Sequence, residues 1–354
     1  MNLSVETCIY ELQLKREFGT AQLRRRSQRS VLVRITDMDS GHHGFGECIE
    51  HPTYRTRCES LQQSIDKIAG WLRDAADSDL PSVSARLEEE GKDFSIYARS
   101  AVDQALWDLH GRKSNMTTAQ CITDSFKIPL RDTIRSSITI GLDTPDMMAE
   151  DIGNYGSWPI LKIKLGGADD LSCLSRVRQL SDRKILRVDA NEGWDTHNFL
   201  EILRLCEKSG VELIEQPFHR YDVEATRLMR HSTILSVIAD ESCRKFEDVD
   251  DCAGIFDGIN IKLYKCGGIL NAARMILRAR ELKMKVMLGC MVESVIGVSA
   301  MAQLSSFADF VDLDGACLIE NNPTSGLELR SGILTPFEGP GNGFDQTPLH
   351  NLFE

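Results

Sequence analysis

Three short runs within residues 160–215 decide the fold: Ile160-Leu161-Lys162-Ile163-Lys164-Leu165, Ile185-Leu186-Arg187-Val188-Asp189 and Val211-Glu212-Leu213-Ile214-Glu215. Each is rich in aliphatic and β-branched residues, closes on charged or glycine residues, and is followed by a helix-like stretch. That is the signature of βα units whose strands are buried on both faces. Working outward, the same texture recurs at Ile134 to Ile140, Leu235 to Ala239, Gly258 to Leu263, Val286 to Leu288 and Phe310 to Leu313. With Ile160 to Leu165, Ile185 to Val188 and Val211 to Ile214 these make eight runs in about 180 residues, and eight parallel strands close into a (β/α)8 TIM-type barrel of the α/β class. An open doubly wound sheet would want a GxGxxG or GxxxxGK[ST] turn after its first strand, and neither is present.

Ahead of the barrel the texture differs. Alternation through Asn2 to Lys15 and Ser30 to Ile35, then Gly44 to Glu47, predicts a small antiparallel sheet. Cys58 to Ala76 and Ile96 to His110 carry apolar residues at three- and four-residue spacing and predict two helices, so this part is an α+β unit. Across all 354 residues, 42% are hydrophobic and 27% charged, which excludes a disordered or fibrous chain. The net charge of −12 repels polyphosphates and anionic surfaces, so nucleic acid and membrane are not expected as partners. The 11 cysteines are scattered without a CxxC pair and read as reduced, mostly buried thiols. Met1 to Glu17 carries no signal-like segment and no apolar run reaches membrane-span length, so a cytoplasmic protein is expected.

The chemistry sits at the ends of the runs. Lys164, Asp189, Glu215, Asp240, Lys265, Glu293 and Asp312 follow one another at separations of 25, 26, 25, 25, 28 and 19 residues. A period near 25 is one strand, helix and loop, so each occupies the same place in its own unit, the active-site rim of a barrel. Any one of them alone reads as a helix cap or a solvated loop charge. As a set, three carboxylates on consecutive units flanked by lysines point to function. Asp189, Glu215 and Asp240 are hard oxygen donors suited to Mg²⁺, one per subunit, with Mn²⁺ able to substitute. The eight histidines fall away from these strand ends. Lys164 and Lys265 stand on either side of the three carboxylate units and would face each other across the ion, which suits removal of a proton from one face of a carbon and delivery to the other through an enediolate. Lys162, two residues before Lys164 on the same strand face, would lower the pKa of Lys164.

These residues resemble the muconate lactonizing enzyme subgroup of the enolase superfamily: Lys162-Ile163-Lys164, Val188-Asp189-Ala190-Asn191-Glu192-Gly193-Trp194, Ile214-Glu215-Gln216-Pro217, Ala239-Asp240-Glu241-Ser242 and Asn260-Ile261-Lys262-Leu263-Tyr264-Lys265-Cys266-Gly267-Gly268. The resemblance spans nearly the whole chain and includes Ala105-Leu106-Trp107-Asp108, similar to a helix of the family's cap. It implies a modified barrel with an N-terminal α+β capping domain completed by the C-terminal tail, with expected boundaries 1–125, 126–325 and 326–354. It implies Asp189, Glu215 and Asp240 as Mg²⁺ ligands, Asn191 and Glu241 behind them, and Lys164 and Lys265 as the acid/base pair. Spacing leaves Lys262 and Lys265 open, and the resemblance selects Lys265.

Asp312-Leu313-Asp314 is similar to dipeptide epimerases, where two carboxylates bind the substrate α-ammonium, an anion-for-cation match that supports the reading. The expected activity is therefore a Mg²⁺-dependent dipeptide epimerase inverting the α-carbon of the C-terminal residue. N-acylamino acid racemase and o-succinylbenzoate synthase are the alternatives on the same site. Thr139 is expected to touch the substrate backbone. Met291 and Glu293 lie in a segment similar to the family's seventh strand, with Glu293 expected to hydrogen-bond Lys265. Two cap loops, Phe18 to Arg29 and His51 to Arg57, are implied to close over the substrate side chain. Arg24, in the run Arg24-Arg25-Arg26, is the candidate for an acidic side chain as in Ala-Glu. The implied partner is a small dipeptide, and a homo-oligomer is expected.

Overall fold

In the computed structural model the described residues are 2–75, 79–128, 135–197, 199–335 and 339–353. Ile134 and Ala76, the expected ends of two elements, lie outside them. The chain opens with an antiparallel sheet of β1 (Leu3–Gly19), β2 (Arg24–Asp37) and β3 (His43–Ile49), followed by α1 (Cys58–Ala75), α2 (Leu80–Glu90), α3 (Ile96–Ser114) and α4 (Thr118–Phe126). The first two strands run further than the sequence suggested. Most of the expected loop from Phe18 to Arg29 is strand, because the pairing of β1 with β2 continues through Phe18–Arg25 and Gly19–Arg24 to the turn closed by Thr20 N donating to Leu23 O at 2.9 Å.

Eight parallel strands follow in chain order: β4 (Ile138–Ile140), β5 (Ile160–Lys164), β6 (Ile185–Asp189), β7 (Val211–Glu215), β8 (Ser236–Ala239), β9 (Gly258–Ile261), β10 (Lys285–Gly289) and β11 (Phe310–Asp312). Each pairs with its sequence neighbour, and a parallel bridge from Ser136 to Val311 closes the ring. The aliphatic runs become strands because both faces are covered. Outside lie α5 (Pro145–Asn154), α6 (Asp170–Leu180), α7 (Phe199–Lys208), α8 (Val223–His231), α9 (Asp248–Cys252), α10 (Leu263–Cys266), α11 (Ile269–Glu281) and α12 (Val295–Ala302). Inside, Leu213, Ile238 and Met287 fill the lumen and Arg187 donates to Val311 O at 2.8 Å, so the barrel is a packed core open only at its carboxyl end. Helix α3 is buried along nearly its whole length between the sheet and the barrel. Beyond the barrel, Phe344 and Leu349 pack on Leu32 and Phe45 of the sheet and on Ile296.

Candidate active site

The carboxyl ends of the strands bring the charged residues together. Lys164, Asp189 and Glu215 are the last residues of β5, β6 and β7, Asp240 directly follows β8, and Asp312 ends β11. Of these, Lys164 and Asp240 line a cavity of about 720 Å³, counted to its open mouth, between the barrel and the β1–β2 hairpin, whereas Asp189 and Glu215 are fully buried and do not line it. Thr139, Met291, Asp312 and Asp314 also line it, whereas Glu293 does not.

Lys265 is a correction. Strand β9 ends at Ile261, Lys262 is still extended (φ −130°, ψ 129°), and α10 begins at once. Lys262 therefore points into the mouth and Lys265, almost a helical turn later, points behind it. The Lys265 ammonium is fully buried and committed to Asp240, 2.5 Å from Oδ1 and 2.6 Å from the backbone oxygen. The amine that faces Lys164 across the carboxylates is Lys262. In an eight-membered ring β5 and β9 are four strands apart, which is diametrically opposite.

Ammonium and carboxylate groups interlock. Lys162 Nζ lies 2.9 Å from Asp189, 2.8 Å from Glu215 and 2.7 Å from Asp312. Burial works against that ammonium, but Asp189, Asp312 and Glu215 outweigh it and hold its pKa well above the usual lysine value. Lys164 Nζ is 2.6 Å from Asp189 Oδ2 and 3.0 Å from Asn191 Oδ1. Lys262 Nζ donates to Asp240 Oδ2 at 2.7 Å. Burial, then Asp189, pushes Glu215 up to about 7, and burial, then Asp240, pushes Glu241 up to about 8. Burial opposes ionisation of Asp189 as well, but Lys162 and Lys164 prevail and hold it at about 2.

Neighbours fix the carboxylates from behind. Asn260 donates to Glu215 Oε1 at 2.8 Å, the Asn191 amide to Asp189 Oδ1 at 3.0 Å, and Gln216 Oε1 accepts the Asp240 amide at 2.9 Å. Among the described residues, no three His, Cys, Asp or Glu side chains stand at ligand distance from one point, since Lys162 and Lys262 reach in between the carboxylates. The donor set is still that of a hard divalent cation. Three carboxylates come from consecutive units, and Glu215 Oε2, though 2.8 Å from Lys162, makes no hydrogen bond.

At the far side, Asp312 Oδ1 accepts the Ser137 hydroxyl and Asp314 Oδ2 the Thr139 amide, each at 2.6 Å. Burial, then the charge of Asp312, raises Asp314 to about 6, whereas for Asp312 the Lys162 ammonium 2.7 Å away outweighs burial and lowers its pKa. Glu293 does not support Lys265 as expected. It accepts the Met291 amide at 2.8 Å and is buried beside Glu47 at the start of α12.

The cap corrects Arg24. Side chains alternate along β2, so Arg24 and Arg26 face solvent and Arg25 faces the cavity. Arg24 is half exposed, 3.3 Å from Asp143 and 3.5 Å from Glu17. Arg25 contacts Gln28 and, at 3.2 Å, His51, and among the described residues no carboxylate pairs with it. His51, away from every barrel strand end in the sequence, reaches the cavity from the cap loop after β3. Burial, then Arg25, depresses its pKa to about 3, so it stays neutral. Tyr54 on the same loop lines the cavity and is anchored by the Arg244 guanidinium 5.0 Å over its ring.

Residues 147–348 match the enolase C-terminal domain-like family, and residues 4–122 the mandelate racemase / muconate lactonizing enzyme N-terminal domain. The L-Ala-D/L-amino acid epimerase of Flavobacterium johnsoniae is 33% identical over 94% of this chain and 97% of its own. This chain belongs to the dipeptide epimerases of the enolase superfamily. Two solved dipeptide epimerases superpose with a TM-score of 0.89 at 27% identity: a substrate-liganded L-Ala-D/L-Glu epimerase from Bacillus subtilis, covering 97% of this chain and 99% of its own, and an Enterococcus faecalis dipeptide epimerase complexed with Mg and L-Leu-L-Tyr, covering 98% and 100%. The family makes the chain an isomerase acting on amino-acid derivatives. No described helix of this epimerase is long and apolar enough to cross a membrane.

Proposed function

We propose that this enzyme epimerises dipeptides at the α-carbon of the C-terminal residue, moving the proton between Lys164 and Lys262, and that acidic C-terminal residues such as glutamate are preferred. The observation that carries the reading is the pair of amines at the carboxyl ends of opposed strands β5 and β9, both open to one cavity, with the strands that carry the three carboxylates between them. Asp189, Glu215 and Asp240 would hold one Mg²⁺ per subunit, with Mn²⁺ able to serve. When bound, that cation supplies positive charge where negative charge gathers on the substrate carboxylate as the α-proton leaves.

Lys164 and Lys262 meet the α-carbon from opposite faces, one as free amine taking the proton and the other as ammonium returning one. Lys162, whose ammonium lies 2.9 Å from Asp189, 2.8 Å from Glu215 and 2.7 Å from Asp312, is assigned no proton transfer and instead lends its charge to the substrate carboxylate. Asp312 and Asp314 receive the α-ammonium, and Thr139 borders the peptide. This pair favours a free-amino dipeptide over an N-acylated amino acid, whose amide carries no charge to match two buried carboxylates. Arg25 is a cavity guanidinium without a carboxylate of its own, and a substrate side-chain carboxylate would complete it.

In D₂O the enzyme with Mg²⁺ should place deuterium on the C-terminal α-carbon of L-Ala-L-Glu and none on the N-terminal one, read by mass spectrometry and proton NMR. EDTA should stop exchange, and Mg²⁺ restore it. Exchange of N-succinyl amino acids with none of any free-amino dipeptide would overturn the assignment.

A further inference from the structure

Next to the active-site cavity lies a second crevice, and we propose that it is the subsite for the side chain of the substrate's N-terminal residue, shaped for a bulky apolar group. The inference rests on the dipeptide reading above and extends it. The two cavities share Phe18, Thr139 and Leu318 as a common wall, and the crevice holds about 1100 Å³ counted to its open mouth. It lies at the ammonium end of the site: Thr139, which borders both cavities, donates its amide to Asp314 at 2.6 Å. A substrate whose ammonium sits on Asp312 and Asp314 therefore has its first α-carbon beside Thr139, with the crevice as the space open to that residue's side chain.

The chemistry of the walls selects the group. Phe18, Leu142, Tyr155 and Leu318, with Met147 at the rim, supply its apolar surface alongside six charged residues, Lys15, Arg16, Glu17, Arg26, Asp143 and Asp151. The charges around it are already matched. Arg16 pairs with Asp151, Arg26 with Glu17 at 3.4 Å, and Asp143 with Arg24 at 3.3 Å, while Lys15 donates to Cys317 O at 2.9 Å. Among the described residues lining it no carboxylate is left over for a cationic side chain, whereas aliphatic and aromatic side chains gain by leaving water. Each methylene buried there strengthens binding about fourfold.

The test compares kcat/KM for L-Ala-L-Glu, L-Leu-L-Glu, L-Phe-L-Glu and L-Lys-L-Glu by deuterium incorporation. L-Leu-L-Glu and L-Phe-L-Glu should exceed L-Ala-L-Glu by roughly tenfold or more, and L-Lys-L-Glu should not. An L-Ala-L-Glu value at or above both bulky substrates would overturn the subsite and leave the dipeptide reading standing, whereas inactivity on all four would strike that reading instead. Two variants locate the effect. Met147→Trp adds bulk at the half-exposed rim on α5. Gly141→Leu builds into the crevice from a site where a Cβ meets only ordinary contacts, 3.4 Å from Gly19 and 3.6 Å from Phe18. Both should lower the Leu-Glu to Ala-Glu ratio at least fivefold, on the order of one or two methylenes of lost burial. An unchanged ratio in two folded variants would remove the crevice from substrate binding.

Discussion

Replacing Asp103 by asparagine tests how the cap is locked onto the barrel. Asp103 is buried on α3, and its Oδ2 accepts the amides of Ile269 at 2.5 Å and Leu270 at 3.2 Å, the first residues of α11, while Oδ1 accepts the Ser84 hydroxyl from α2. Burial exceeds the help of these hydrogen bonds and raises its pKa from 3.8 to about 6. Roughly two pKa units at ~1.4 kcal/mol each amount to ~3 kcal/mol in favour of the protonated form. The folded chain thus binds that proton more tightly than the unfolded chain. The contribution of Asp103 to stability falls as pH rises from about 4 to about 6 and levels off above. The carboxamide introduced by Asp103→Asn keeps an oxygen for the two α11 amides and turns an N–H toward Ser84, with no charge to bury. All other titrating groups are common to both proteins, so the stability difference isolates this one. Urea unfolding should find Asp103→Asn level with the parent near pH 4 and ahead of it by up to ~3 kcal/mol near pH 7. A difference independent of pH would refute the reasoning. Asp103→Ala should instead lose stability at both pH values, by about 1–3 kcal/mol for each buried group left without a partner.

Lys265→Met should weaken Mg²⁺ binding by about 10- to 100-fold in calorimetry, since it frees Asp240 from its rear anchor, while both substrate epimers still exchange their α-proton. Loss of exchange for one epimer alone would return Lys265 to the role of base. Arg25→Gln should cut kcat/KM for L-Ala-L-Glu relative to L-Ala-L-Leu by roughly 10- to 100-fold, the value of a charge-assisted hydrogen bond, whereas Arg24→Gln should stay within about twofold. Burial opposes ionisation of Asp37, but Lys113 and Ser40 hold it at about 2, below its usual 3.8. That depressed carboxyl contributes ~2 kcal/mol above about pH 4, lost as pH falls toward 2. Lys113→Met should therefore raise the midpoint of acid unfolding followed by circular dichroism, and an unmoved midpoint would count against the pair.

The barrel was legible because parallel strands buried on both faces leave nearly continuous aliphatic runs, and the near-constant spacing of one βα unit put Lys164, Asp189, Glu215 and Asp240 at their strand ends. The same spacing misled at β9. Lys265 lies 25 residues after Asp240, but α10 starts immediately after Lys262, so there is no loop to carry the pointing residue onward. The parity of Arg24 and Arg25 was hidden for a different reason. The pairing of β1 with β2 shifts register between Gln13 and Phe18, and tertiary contacts, not local alternation, decide which face of the hairpin tip meets the barrel. His51 and Tyr54 carry no sequence signal for the site, because their place depends on docking of the cap through Tyr97, Tyr264 and Arg244.

The most direct measurement of the two-lysine assignment follows α-proton exchange of L-Ala-L-Glu and L-Ala-D-Glu separately in D₂O with Lys164→Ala and Lys262→Ala. Amines on opposite faces predict that neither variant epimerises, and that each still exchanges one epimer, a different one in the two variants. Exchange lost for the same epimer in both, or retained for both epimers in either, would contradict the opposed arrangement on which the account depends.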